Sequence, residues 1–155
     1  MQAENLVNER IKRVGPILSV VFTALVMVWF NLLPNTVGYY VKIANSTSFT
    51  PVLAPAFQTY LPWLNFWWGA SILLNIVHII NGRWTLITRL ADLLISFYGI
   101  SVLVGMVTGP AFIILPWLST VVKVILGISA FGLAVSLIVQ AIRVLKGMLA
   151  GGKLE

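Results

Sequence analysis

The chain has 155 residues, 59% hydrophobic and only 9% charged, where a soluble domain carries about 25% charged residues. So few charges cannot cover a globular surface, and the composition predicts an integral membrane protein. The net charge of +6 then points to lipid headgroups as the polyanion, with no nucleic acid expected, and the absence of cysteine excludes disulfides, thiol nucleophiles and cysteine metal sites.

Residues 1–13 (MQAENLVNERIKR) form a polar N-terminal segment that ends in a basic cluster and reads as a short helix or a frayed lead-in. The first span covers about 14–33. Pro16 suits a first helical turn, where its missing N–H costs little, and Pro34-Asn35 ends the span. The run lacks a small-x-small cleavage site followed by a soluble domain, so it is not read as a signal peptide.

Residues 34–60 read as an interfacial loop containing a short extended or helical piece. The loop holds Tyr39, Tyr40, Phe49, Phe57 and Tyr60 but a single charge, Lys42. Loops of this length often carry function or local structure. Asn45-Ser46-Thr47 matches a glycosylation sequon, a pattern short enough to be read as chance.

The second span covers about 61–80 and opens with Pro62 and the aromatics Trp63, Phe66, Trp67 and Trp68, as an interfacial belt does. Asn81-Gly82 signals a turn. The third span covers about 85–107 and breaks at Gly109-Pro110. The fourth covers about 111–145, which at ~1.5 Å per residue exceeds the ~30 Å hydrocarbon core. Its start, AFIILPW, is therefore expected in the outer interface, with Pro116 kinking or restarting the helix. Residues 148–155 read as a flexible tail. All four spans are apolar nearly all round, whereas a soluble bundle needs polar outer faces.

Positive charge sorts by side. Arg10, Lys12 and Arg13 precede the first span, Arg83 and Arg89 lie at the second turn, and Arg143, Lys146 and Lys153 end the chain. The opposite connections carry only Lys42. The positive-inside rule makes both termini and the 81–84 turn cytoplasmic. The fold expected is an all-α integral membrane protein, a four-transmembrane-helix bundle, multi-pass in the cytoplasmic membrane. Its anchors are Arg13, Trp63, Trp67, Arg83, Trp84, Trp117 and Arg143.

Ser71, Asn75 and His78 share one face of the second span, and Thr85, Arg89, Asp92, Ser96 and Gly99 form a stripe on the third. Asn75 and Asp92 lie ~9 and ~10 Å above the turn at ~1.5 Å per residue. Asn75, His78, Arg89 and Asp92 are therefore expected to cluster near the cytoplasmic face. Intramembrane ionisable groups often mark a proton or ion path. The simpler reading is a clasp, in which Arg89 and Asp92 neutralise each other at i, i+3 while Asn75 or His78 satisfies the remaining oxygen. An unpaired aspartate costs ~2.5–3.5 kcal/mol on the insertion scale. An interhelical hydrogen bond averages only ~0.6 kcal/mol, so pairing is the larger incentive. Lys123 lies too far from Asp92 in depth for a salt bridge and is expected to snorkel outward.

Small residues mark close helix approach. Gly105 and Gly109 form a GxxxG. Gly127, Ala130 and Ala134 lie on one face of the fourth span, and Ser129, Gly132 and Ser136 on another. Two small faces could serve the bundle on one side and a partner chain or second copy on the other, while ordinary packing within the chain is the simpler reading of each face taken alone. One histidine and one intramembrane aspartate cannot build a metal site. No phosphate loop, dinucleotide pattern or triad is visible. The expectation is therefore no enzyme, no metal and no cofactor.

The run YLPWLNFWWGASILLNIVHIINGRWTLITRLADLLISFYGISVLVGM (60–106), with FNLLP (30–34) and TPVLAPAFQTYLPW (50–63), resembles bacterial membrane proteins of the HAAS or permease-prefix-domain type. Its best element is Gly82-Arg83-Trp84-Thr85 followed by Thr88-Arg89-Leu90-Ala91-Asp92. The resemblance implies a cytosolic helical domain ahead of apolar helices and a regulatory or accessory role beside regulators or transporters. It departs at the N-terminus, where residues 1–13 stand in the place of that domain. The function expected is a non-catalytic accessory or regulatory membrane protein working through helix–helix contacts. The competing expectations are a structural subunit of a large membrane complex and a small transporter or channel using the Asn75/His78/Arg89/Asp92 cluster.

Overall fold

The computed structural model describes the backbone of residues 2–34, 36–43, 46–82 and 85–149, and the side chains of 14–34, 36–42, 46–82, 85–146, 148 and 149. Its elements in chain order are α1 (Gln2–Leu32), β1 (Gly38–Ile43), β2 (Ser46–Pro51), α2 (Phe57–Asn81), α3 (Leu86–Thr108) and α4 (Pro116–Leu149). Four helical stretches are long and apolar enough to cross a membrane: Val14–Leu32, Phe57–Asn81, Leu86–Thr108 and Pro116–Lys146. The chain thus has the elements of a multi-pass membrane protein.

Three expected boundaries move. The polar segment 1–13 is no separate lead-in, because α1 runs unbroken from Gln2. Pro16 therefore sits inside the helix, where it withholds one intrahelical hydrogen bond. The fourth span, set at about 111–145, has its helix only from Pro116, so of the kink or restart expected at this proline the structure has the restart, since proline tolerates a first turn, where its N–H is not needed. The loop 34–60 is largely structured, so the fold is mostly helical rather than all-α. β1 and β2 pair antiparallel with Tyr40 opposite Phe49, and those rings meet edge-on at 5.4 Å. The aromatic and β-branched residues of Tyr39-Tyr40-Val41 and Phe49-Thr50 suit a pleated pair.

Val52 N–H donates to Val37 at 2.9 Å, extending the hairpin, and two further backbone bonds tie it to the connection between α3 and α4: Ala54 N–H to Phe112 at 2.8 Å and Ile114 N–H to Val52 at 2.9 Å. Leu53 and Ile113 bridge antiparallel. The core lies directly beneath this tied surface. Phe57, Leu61 and Leu64 of α2, Val102 and Met106 of α3, and Phe112 and Ile113 of the connection are buried together. Phe30 of α1 joins them, 5.2 Å from the Phe57 ring and 5.9 Å from Trp68.

Each helix packs on its neighbour in sequence: α1 on α2, α2 on α3, α3 on α4. Among the described residues these are the helix pairs whose backbones approach one another closely. Trp67 makes the α2–α3 contact specific. A Cβ on Gly99 would strike its indole, so only glycine lets the two helices approach this closely.

The opposite end is built by capping. Gly82 takes a left-handed conformation at φ 66° and donates its N–H to the His78 carbonyl, closing α2. Thr85 opens α3: its hydroxyl accepts from Thr88 N–H at 3.2 Å, while the Thr88 hydroxyl accepts from Thr85 N–H at 2.8 Å. That is a reciprocal capping box with threonine in the place usual for glutamate.

Candidate functional site

Arg89 and Asp92 occupy the second turn of α3, and Asp92 lies ~9 Å along the helix from Leu86 at ~1.5 Å per residue. Together with Gln140, Arg143 and Val144 of α4 they line a cleft of about 210 Å³. Arg89 falls on the stripe that continues through Ile100 and Val107, spacings that return to one helix face. That stripe faces α4, where Ile100, Val104 and Val107 line one groove with Gly127, Ala130 and Ala134. The polar end of this interface therefore joins α3 to α4.

The expected four-residue cluster is rearranged. Asn75 and His78 are not among the residues lining the cleft; they stand on α2, the other helix that packs on α3. Asn75 donates its amide within its own helix, to the Ser71 carbonyl at 2.8 Å. The clasp between Arg89 and Asp92 is not formed through Arg89 Nε, which is buried without a hydrogen-bond partner among the described residues. A base preceding an acid is the poorer order for a helical ion pair. Asp92 instead faces Gln140 across the cleft, a residue whose role the sequence alone left unread. Gln140 is held by its own helix, donating to the Ser136 hydroxyl at 3.4 Å.

Lys123, expected to snorkel outward, is held within the chain. Its ammonium donates to the Gly109 carbonyl at 2.9 Å, at the C-terminal end of α3, where free carbonyls and the helix dipole favour a cation. Of the expected anchors, Trp63 and Trp117 are exposed and Arg143 is an exposed residue of the cleft wall. Trp67 is instead half-buried against Gly99, because the missing Cβ opens a slot for its ring. Arg83, Trp84 and the Arg13 side chain lie outside the described residues.

The small residues divide. Ala130 is buried and faces α3 with Gly127 and Ala134. Ser129, Gly132 and Ser136 are exposed on the other face of α4. Gly109 is a close approach within the chain, since a Cβ there would meet the Tyr60 hydroxyl. Gly105 has open space around it and borders a groove with Trp63, Tyr98 and Ser101.

One polar contact was not foreseen. Asn31 of α1 and Asn65 of α2 exchange amide hydrogen bonds in both directions, at 2.7 and 2.8 Å. Its signal in the sequence was an amide near the same end of each of two apolar spans, Asn31 close to the end of the first and Asn65 close to the start of the second. No family model, curated protein or solved structure matches this chain.

Proposed function

We propose that this chain is a non-catalytic accessory or regulatory subunit of the cytoplasmic membrane, with both termini inside, and that it works through helix–helix contacts with a partner membrane protein. The observation that carries the reading is the exposed face of α4. Ser129, Gly132 and Ser136 form a small-residue surface on a helix whose other small face, around Ala130, is already turned to α3. Surfaces of this kind let a second backbone approach closely within a bilayer. The likeness of 60–106 to membrane proteins of permease-prefix type leans toward the same role.

A blue-native gel of gently solubilised membranes tests the proposal. The expected result is a band of defined mass above the monomer that Gly132→Leu removes while the protein stays in the membrane. A monomer in both cases contradicts it, and a band in the megadalton range favours a structural subunit of a large complex instead.

The Arg89/Asp92 cleft favours a second reading, a small transporter. Solute flux into liposomes that Asp92→Asn abolishes, and that Trp84→Phe leaves intact, would establish it. Absence of flux from the wild-type chain would remove it.

A further inference from the structure

The cleft at the capped-turn end combines charges of both signs, and the accessory reading uses none of them. Arg89 and Arg143 bring two guanidinium groups, Asp92 one carboxylate and Gln140 one amide, all lining one space of about 210 Å³. Arg89 Nε is buried without a hydrogen-bond partner among the described residues, and a buried donor left unpaired is costly. A purely anionic ligand accounts for the arginines but is repelled by Asp92. A simple cation accounts for Asp92 but is repelled by two guanidiniums. A ligand with an anion and an ammonium a few bonds apart satisfies all three.

We propose that this cleft seats the headgroup of an aminophospholipid of the phosphatidylethanolamine type. The phosphodiester oxygens accept from Arg89 and Arg143, a planar donor geometry suited to phosphate. The ammonium donates to the Asp92 carboxylate, which faces Gln140 on the far wall. Depth agrees with this assignment. Asp92 lies ~9 Å along α3 from its first residue and Arg143 ~9 Å from the end of α4 at ~1.5 Å per residue, the level at which headgroups meet acyl chains if these helices span. A choline headgroup offers no N–H to the carboxylate, and a glycerol headgroup offers no cation, so the site discriminates among common lipids. The proposal rests on the membrane reading but not on any partner.

The full chain reconstituted in nanodiscs of equimolar phosphatidylethanolamine, phosphatidylglycerol and phosphatidylcholine, then released for native mass spectrometry, reads which lipid stays bound. The expected result is about a tenfold preference for phosphatidylethanolamine over each of the others, the ratio that one charge-assisted hydrogen bond gives. Asp92→Asn is expected to erase the preference over phosphatidylglycerol while keeping lipid bound. Arg143→Gln is expected to weaken retention of all three lipids, and Lys146→Gln, outside the cleft lining, to change nothing. Phosphatidylglycerol retained as well as phosphatidylethanolamine by the wild type, or a preference that survives Asp92→Asn, overturns the proposal. So does displacement of the lipid by millimolar soluble phosphoethanolamine, which would make the free headgroup the ligand. Carbonate-resistant membrane fractionation of each variant separates a lost site from a lost membrane protein.

Discussion

The two ends of the molecule are built on different principles. At the hairpin end the chain is tied across itself by backbone bonds between 52–54 and 112–114, over a core in which Phe57 and Phe112 are each 3% exposed. At the other end each helix finishes on its own local devices, Gly82 for α2 and the Thr85/Thr88 box for α3, and a polar cleft opens between α3 and α4. The comparison separates two jobs. One end ties the helices to one another through backbone bonds and a buried core, and the other gathers the charged side chains of α3 and α4 around a cleft.

This division can be broken from either side. Phe57→Ala removes the ring at the centre of the tied end, and a loss of about 3–5 kcal/mol is expected, as for other buried aromatics, read as a lower thermal midpoint in detergent. Gly99→Ala puts a methyl group into the Trp67 ring. A cost of about 1–3 kcal/mol is expected from overpacking, with a shift of tryptophan emission as the ring is displaced. Thr85→Ala deletes the hydroxyl that caps α3. About 1 kcal/mol is expected from a lost N-cap, together with faster amide exchange confined to the first turn of α3. Asn65→Leu removes one half of the amide pair with Asn31. The loss is expected to be near 0.6 kcal/mol, the average for an interhelical hydrogen bond in a membrane. The double change with Asn31→Leu should then cost less than the two single changes added together. Equal sensitivity of the tied end and the cleft end, for instance an Asp92→Asn variant that melts as low as Phe57→Ala, would erase the distinction.

Much of the fold was legible because apolar run length is a strong signal. The Gly82 stop and the Gly109-Pro110 break marked two of the helix ends. The hairpin was harder. Its sequence is short and polar on one strand, and the pairing of 52–54 with 112–114 joins segments distant in the chain, which periodicity does not register. In the candidate site, counting residues from the turn put Asn75 and Asp92 at like heights, but such a count does not register which face α3 turns to α4, and Asp92 lines its cleft with α4 while Asn75 stands on α2. Gln140 escaped notice because one amide near a helix end has no motif. Trp67 was misjudged for a related reason, since a belt tryptophan and a core tryptophan look alike until the glycine opposite is known.

The central claim is that α4 uses one small-residue face within the chain and offers the other to a partner. Because the chain contains no cysteine, single cysteines test it directly in native membranes with a short bifunctional thiol-to-amine crosslinker. The account predicts that Gly132→Cys yields a discrete crosslinked product of higher mass and that Ala130→Cys, on the buried face, yields none. Crosslinking from Ala130→Cys with none from Gly132→Cys would contradict it.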